Sequence, residues 1–121
     1  MAVGSKTIEV TKIAAAALAD KLGTEIVAID LSEQLVLNQV FLIATGSNEP
    51  QLQALAEVVE KKLAEVGEKP ARKEGSNSWI LLDYSDLVVH IQSTELRNYY
   101  MLDRLWNDCP TIDLNLEKVQ R

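Results

Sequence analysis

Few residues of this chain carry side chains that could act on a substrate. Thr45-Gly46-Ser47 closes a β-branched run just ahead of an amphipathic stretch, and such a strand-to-helix turn can cradle a phosphate on its backbone N–H groups. A nucleotidyl-transfer site on that turn also needs closely spaced carboxylates on a following strand to hold a divalent metal. Glu57 and Glu60 have the spacing of a solvated helix face, and Asp83 and Asp86 fall in the turn region of a hairpin. Neither pair makes a strand-borne metal site. His90 is the sole histidine and Cys109 the sole cysteine, which puts a Cys/His zinc site and an internal disulfide framework out of reach. His90 reads as a neutral, hydrogen-bonded residue beside Trp79, and Cys109, next to Pro110 with no local base, as an inert thiol. No set of nucleophile, base and oxyanion donors assembles, so no catalytic residue, metal site or cofactor is expected.

The segment WILLDYSDLVVHIQ offers binding rather than catalysis. With Tyr84 and Ser85 as a two-residue turn, Asp83 lies opposite Asp86, Leu82 opposite Leu87, Leu81 opposite Val88, Ile80 opposite Val89 and Trp79 opposite His90. Alternation then sorts the hairpin into two faces. Ile80, Leu82, Leu87, Val89 and Ile91 are all aliphatic and must face helices. Trp79, Leu81, Asp83, Asp86, Val88 and His90 make the other face, an apolar patch around an indole with two carboxylates at one end. An aromatic anchor among aliphatic neighbours with a polar rim is the composition of a docking hot spot. Opposed like charges repel, and a cationic partner would relieve them. The alternative is that the chain's own last helix or tail covers this face.

The elements that must position this hairpin follow from periodicity. Lys6 to Leu22 has helical spacing, with Gly23 as its stop. Glu25 to Leu31 and Val36 to Thr45 read as buried strands. Asn48 caps a helix with Pro50 in its first turn, Gln51 in capping-box position and Leu52, Leu55, Ala56, Val59, Leu63 and Val66 on one face, until Gly67. Pro70 to Ser78 is a connection with room for a short edge strand. A last helix, Thr94 to about Trp106, spreads Leu96, Tyr99, Tyr100, Leu102, Leu105 and Trp106 over more than one stripe. Tyr99 or Tyr100 is then the aromatic suited to an interface, since a phenol tolerates a wet edge, and Arg97 and Arg104 read as rim or solubilising charges. The order helix, strand, strand, helix, strand, strand, helix predicts a single-domain α/β sandwich, a mixed β-sheet packed by helices. Pro110 ends the helical part, and residues 107–121 form a tail on the surface.

At 121 residues the chain can bury one core, and its 12 Lys+Arg against 18 Asp+Glu leave a net charge of −6. That charge argues against nucleic acid as the primary contact and suits a basic protein partner. No stretch has the roughly twenty apolar residues of a membrane span, and the N-terminus lacks the pattern of a targeting peptide. A cytoplasmic location is expected.

Asp30, the run FLIATGSNEPQ, Glu74-Gly75, WILLDYSDLVVHI and RNYYMLDRLW together resemble the ribosomal silencing factors, the RsfS or Iojap-like family. The resemblance runs from the first helix to Trp106, making 1–106 the family domain. It implies a nucleotidyltransferase-like fold without the catalytic carboxylates. It also implies a non-enzymatic translational repressor that binds the large ribosomal subunit through its basic surface protein fourteen, on the intersubunit side. Bound there, the protein blocks joining of the small subunit when nutrients run short. Organellar relatives act in large-subunit assembly, and free members form homodimers. Carried onto this chain, the docking strands fall on Trp79, Leu81, Asp83, Asp86, Val88 and His90, with Tyr100 added from the last helix. The family's usual glycine is replaced by Ser85, where a tight turn wants positive φ, and its usual serine by Asn48, which keeps a helix cap.

Overall fold

The computed structural model describes residues 4–33, 39–101, 104 and 109–114, without the Tyr100 side chain. Alanine-rich α1 (Ser5–Asp20) precedes β1 (Thr24–Asp30) and β2 (Val40–Gly46). Then come α2 (Glu49–Ala64), β3 (Arg72–Gly75), β4 (Trp79–Asp83), β5 (Leu87–Ser93) and α3 (Thr94–Tyr100). The strands form one mixed sheet in the order β1-β2-β5-β4-β3, with β2 and β5 parallel and the other neighbours antiparallel. The α/β single domain with a mixed sheet is thus the fold the element order predicts. Val36, inside the expected second strand, lies outside the described residues.

One face of the sheet carries the main core. Ala28, Val40, Leu42, Ala44, Ile80, Leu82, Leu87, Val89 and Ile91 pack under α1 and α2, which contribute Ala14, Leu18, Leu52, Leu55, Val59 and Leu63. The five aliphatic hairpin residues expected to face helices are all in this layer, each 2% exposed or less. Removing so much apolar surface from water is the dominant stabilising term.

Helix ends set the layer. The α1 terminus closes through Gly23 N–H to Leu18 O at 2.8 Å and Leu22 N–H to Ala19 O at 3.0 Å. Leu22, not Gly23, takes the left-handed conformation, at φ 66°. Gly23 is needed for a different reason: a Cβ there would sit 3.0 Å from Leu18 O and 3.2 Å from Leu55 Cδ2. Asn48 caps α2 as expected, its Oδ1 accepting the Gln51 N–H at 2.9 Å. Gln51, however, does not close a capping box on Asn48. Its Oε1 accepts from Ser47 N and Oγ at 2.6 and 2.8 Å, and its Nε2 donates to Leu22 O at 3.0 Å, tying the end of α1 to the start of α2.

The expected last helix is interrupted at Met101, and Arg104 beyond it is again helical. Ser93 Oγ caps α3 by accepting the Leu96 N–H at 3.2 Å, and Met101 ends the helix at φ 50°. Leu102, Leu105 and Trp106, expected on its later turns, lie outside the described residues. Beyond them the chain returns to the free edge of β1. Asp30 N–H donates to Pro110 O at 2.8 Å and Ile112 N–H to Ala28 O at 2.9 Å, so the start of the expected tail lies against the sheet. Among the described residues no helix is long and apolar enough to cross a membrane.

Candidate functional site

The hairpin pairs two residues away from the expected register. Asp83 lies opposite Val88, Leu82 opposite Val89, Leu81 opposite His90, Ile80 opposite Ile91 and Trp79 opposite Gln92. The loop Tyr84–Leu87 is closed by Tyr84 N–H to Leu87 O at 2.8 Å, while Asp83 Oδ1 accepts the Ser85 N–H at 2.8 Å and Ser85 adopts φ 74°. Positive φ thus falls on Ser85 as the turn requires, but the opposition of Asp83 and Asp86 does not occur. The cause is tertiary. Asp86 O accepts from Gln39 N and Val40 N at 2.9 and 3.0 Å, so the residue is drawn to the incoming β2 and out of the hairpin ladder. Because the shift is even, every strand residue keeps its face.

The second face is therefore a grid read across the strands. Phe41, Val88, Asp83 and Arg72 form one row; Ile43, His90, Leu81 and Glu74 the next; Thr45, Gln92 and Trp79 the third. Cover varies along each row. Over β1 and β2, Cys109 packs onto Ile29, Leu31 and Ile43. In the centre Val88 and His90 are 5% exposed and Gln92 is fully buried. On β4, Trp79, Leu81 and Asp83 are only half-buried, and on β3 Arg72 and Glu74 are exposed. Among the described residues α1 and α2 pack on the opposite face of the sheet, and the less covered half of this face is the β4–β3 half.

His90 is the hinge between the covered and open halves. Its ring meets Phe41 edge-on, with centroids 4.6 Å apart at 64°, and the Trp79 ring at 5.9 Å and 51°. Trp79 Nε1–H donates to His90 Nδ1 at 3.2 Å. Burial pushes the imidazole pKa down to about 4, because charging it would strand a cation away from water. His90 Nε2 and both amide atoms of Gln92 are buried with no hydrogen-bond partner among the described residues.

The charges differ from expectation. Asp83 carries Arg72 Nη2 beside its Oδ2 at 3.6 Å, and Arg72 Nη1 also meets Glu74 Oε2 at 3.0 Å. Arg72 and Glu74 belong to this face and were missed, because the edge strand RKEG is exposed at every position and carries no apolar alternation to sort its faces. Asp86 is an exposed loop residue bordering a hollow with Lys6, Glu68 and Tyr84, away from the Trp79 patch. Arg97 is no rim charge: it is 4% exposed, and its Nη1 donates to Thr45 Oγ1 at 2.9 Å, pinning α3 over the ends of β2 and β5. Tyr99 is 78% exposed; the Tyr100 side chain lies outside what the structure describes. At the Gly46-Ser47 turn, Gln51 already occupies the Ser47 N–H that a phosphate would need. Among the described residues no three His, Cys, Asp or Glu side chains come together as metal ligands would.

A sequence model of the family described as "Ribosomal silencing factor during starvation" matches residues 5–121. The chain belongs to this family. The ribosomal silencing factor RsfS of Bacillus subtilis is 37% identical over 108 residues, spanning 88% of this chain and 92% of that protein. The maize chloroplast protein Iojap is 33% identical over 104 residues, spanning 78% of this chain and 44% of that protein. A crystal structure from Chromobacterium violaceum superposes with a TM-score of 0.79 at 39% identity, covering 82% of this chain and 84% of its own. One from Bacillus halodurans gives 0.75 at 34% identity, covering 87% and 97%. The family match includes the segment after Trp106, in keeping with the seat of Cys109 and Pro110 against β1.

Proposed function

We propose that this protein is a translational repressor that acts by binding, not by catalysis. It docks through the open half of its second sheet face onto the basic surface protein fourteen of the large ribosomal subunit, on the intersubunit side. There it stands in the way of the small subunit, and its effect matters when nutrients are scarce. The observation that carries this reading is the half-buried indole of Trp79, flanked by Leu81 and bordered by Asp83, Arg72 and Glu74, on a sheet face that α1 and α2 leave free. An aromatic anchor with an aliphatic neighbour and a charged border is what tight protein docking uses. The net charge of −6 favours a basic partner, and membership of a family of ribosomal silencing factors supplies the ribosome. The proposed contact set is Trp79, Leu81 and Asp83, with Val88 and His90 as the buried backing beneath them and Arg72 and Glu74 added at the rim.

Sucrose-gradient analysis of purified subunits tests both halves of the reading. Added protein is expected to sediment with large subunits and to reduce their joining to small subunits. Trp79→Ala is expected to weaken binding by about 2 kcal/mol or more, as loss of a hot-spot anchor does. Cosedimentation of Trp79→Ala at the parental level would overturn the assignment of the face.

A further inference from the structure

The sole histidine of the chain lies under the one aromatic anchor, and its contacts specify what that anchor can meet. We infer that His90 is a positioning residue for Trp79: its Nδ1 holds the indole N–H, so the anchor reaches its partner with its only polar atom already satisfied. This rests on the docking reading above and adds the chemistry of the partner's side, an aliphatic hollow offering no hydrogen-bond acceptor to the indole.

Three observations carry the inference. The Trp79 Nε1 to His90 Nδ1 distance of 3.2 Å is that of a hydrogen bond in which the indole donates, since an indole nitrogen has no acceptor role. Nδ1 must then be bare, so the proton of the neutral imidazole sits on Nε2. Phe41 meets the imidazole edge-on at 4.6 Å, so the ring that holds the indole is itself held. Burial keeps that imidazole uncharged at neutral pH, which preserves Nδ1 as an acceptor.

The consequence for docking is energetic. A buried indole N–H left without an acceptor loses the hydrogen bond it had to water, so a partner covering Trp79 would have to supply one. His90 removes that requirement. It also fixes the side chain before contact, so little rotamer freedom remains to be lost on association. Trp79 then contributes apolar area alone, and the partner's matching surface needs shape rather than a polar group.

The test uses the whole chain, with Trp106→Phe leaving Trp79 as the only indole. In the parent, nitrogen-15 NMR is expected to show His90 unprotonated at Nδ1 and protonated at Nε2. The Trp79 indole proton is expected to be hydrogen-bonded and to keep its shift when large subunits bind. His90→Phe keeps a ring against Phe41 but removes the acceptor. It is expected to shift the indole resonance and to weaken binding to purified large subunits by roughly three- to tenfold, mostly through faster dissociation. His90→Asn returns an oxygen near the Nδ1 position and is expected to restore the resonance and most of the affinity. A parent imidazole protonated at Nδ1 overturns the inference, and that measurement decides it even where the variants do not fold. Parental affinity in His90→Phe, with Trp79→Ala still weak, overturns it while leaving the docking face intact. Parental affinity in Trp79→Ala sinks the docking reading itself.

Discussion

Lowering the pH is expected to destabilise this protein through His90 before most of its carboxylates titrate. The imidazole has a reference pKa of 6.5 in the unfolded chain, and burial takes it to about 4 in the folded one. As pH falls below 6.5 the unfolded state binds a proton that the folded state refuses, so stability drops with each step down. The contribution is fully present above 6.5 and is lost as pH falls toward 4. A proton held by the unfolded chain alone costs about 1.4 kcal/mol for each pH unit below 6.5, so the loss between pH 7 and pH 5 comes to about 2 kcal/mol. For a domain of this size that lowers a urea midpoint by about 1–2 M. The assay is urea unfolding at both pH values, followed by far-UV circular dichroism, for the parent and for His90→Phe. The variant keeps a ring beside Phe41 and cannot titrate, so its midpoint is expected to move much less. Carboxylate effects common to both proteins cancel in the difference. Equal midpoint losses in parent and variant would refute the claim that this buried imidazole resists protonation.

Three further outcomes follow from the geometry. Asp83→Lys reverses a charge beside Arg72 on the proposed docking face, and stopped-flow association with large subunits is expected to be several-fold slower and less salt-dependent; an unchanged rate at low and high salt counts against an electrostatic role. Gln51→Ala removes the acceptor for Ser47 and the link to Leu22 O, and is expected to cost about 1–2 kcal/mol in urea unfolding. Arg97→Ala leaves Thr45 Oγ1 without its charged donor. It is expected to cost about 2–3 kcal/mol and to speed hydrogen exchange in α3 ahead of the sheet.

The grid on the second face explains why the proposed site survives an error in pairing. A side chain's face depends on whether its position is odd or even, and a slip of two residues does not change that. Trp79, Leu81, Asp83, Val88 and His90 therefore share the face that alternation assigns them, although none has the partner expected for it. The slip does change the charges. Asp83 gains Arg72 as a neighbour, and Asp86 leaves the ladder for the β2 entry.

The amino-acid order by itself determined what local periodicity can carry. The aliphatic face of the hairpin, the amphipathic α2 with Asn48 at its cap, the short edge strand after Pro70 and the indole on the opposite face are all set by residues within a few positions of one another. Tertiary structure decided what depends on distant parts of the chain. Asp86 has its carbonyl taken by Gln39 and Val40; Arg97 is buried because Thr45, 52 positions away, accepts its hydrogen bond; Gln51 reaches past its own cap to the end of α1. Met101 breaks the last helix with no glycine or proline to announce it. The strand order and the half-cover over His90 belong to the same class. Each is settled by which surfaces and backbone groups meet after collapse, and no spacing within a single segment encodes that.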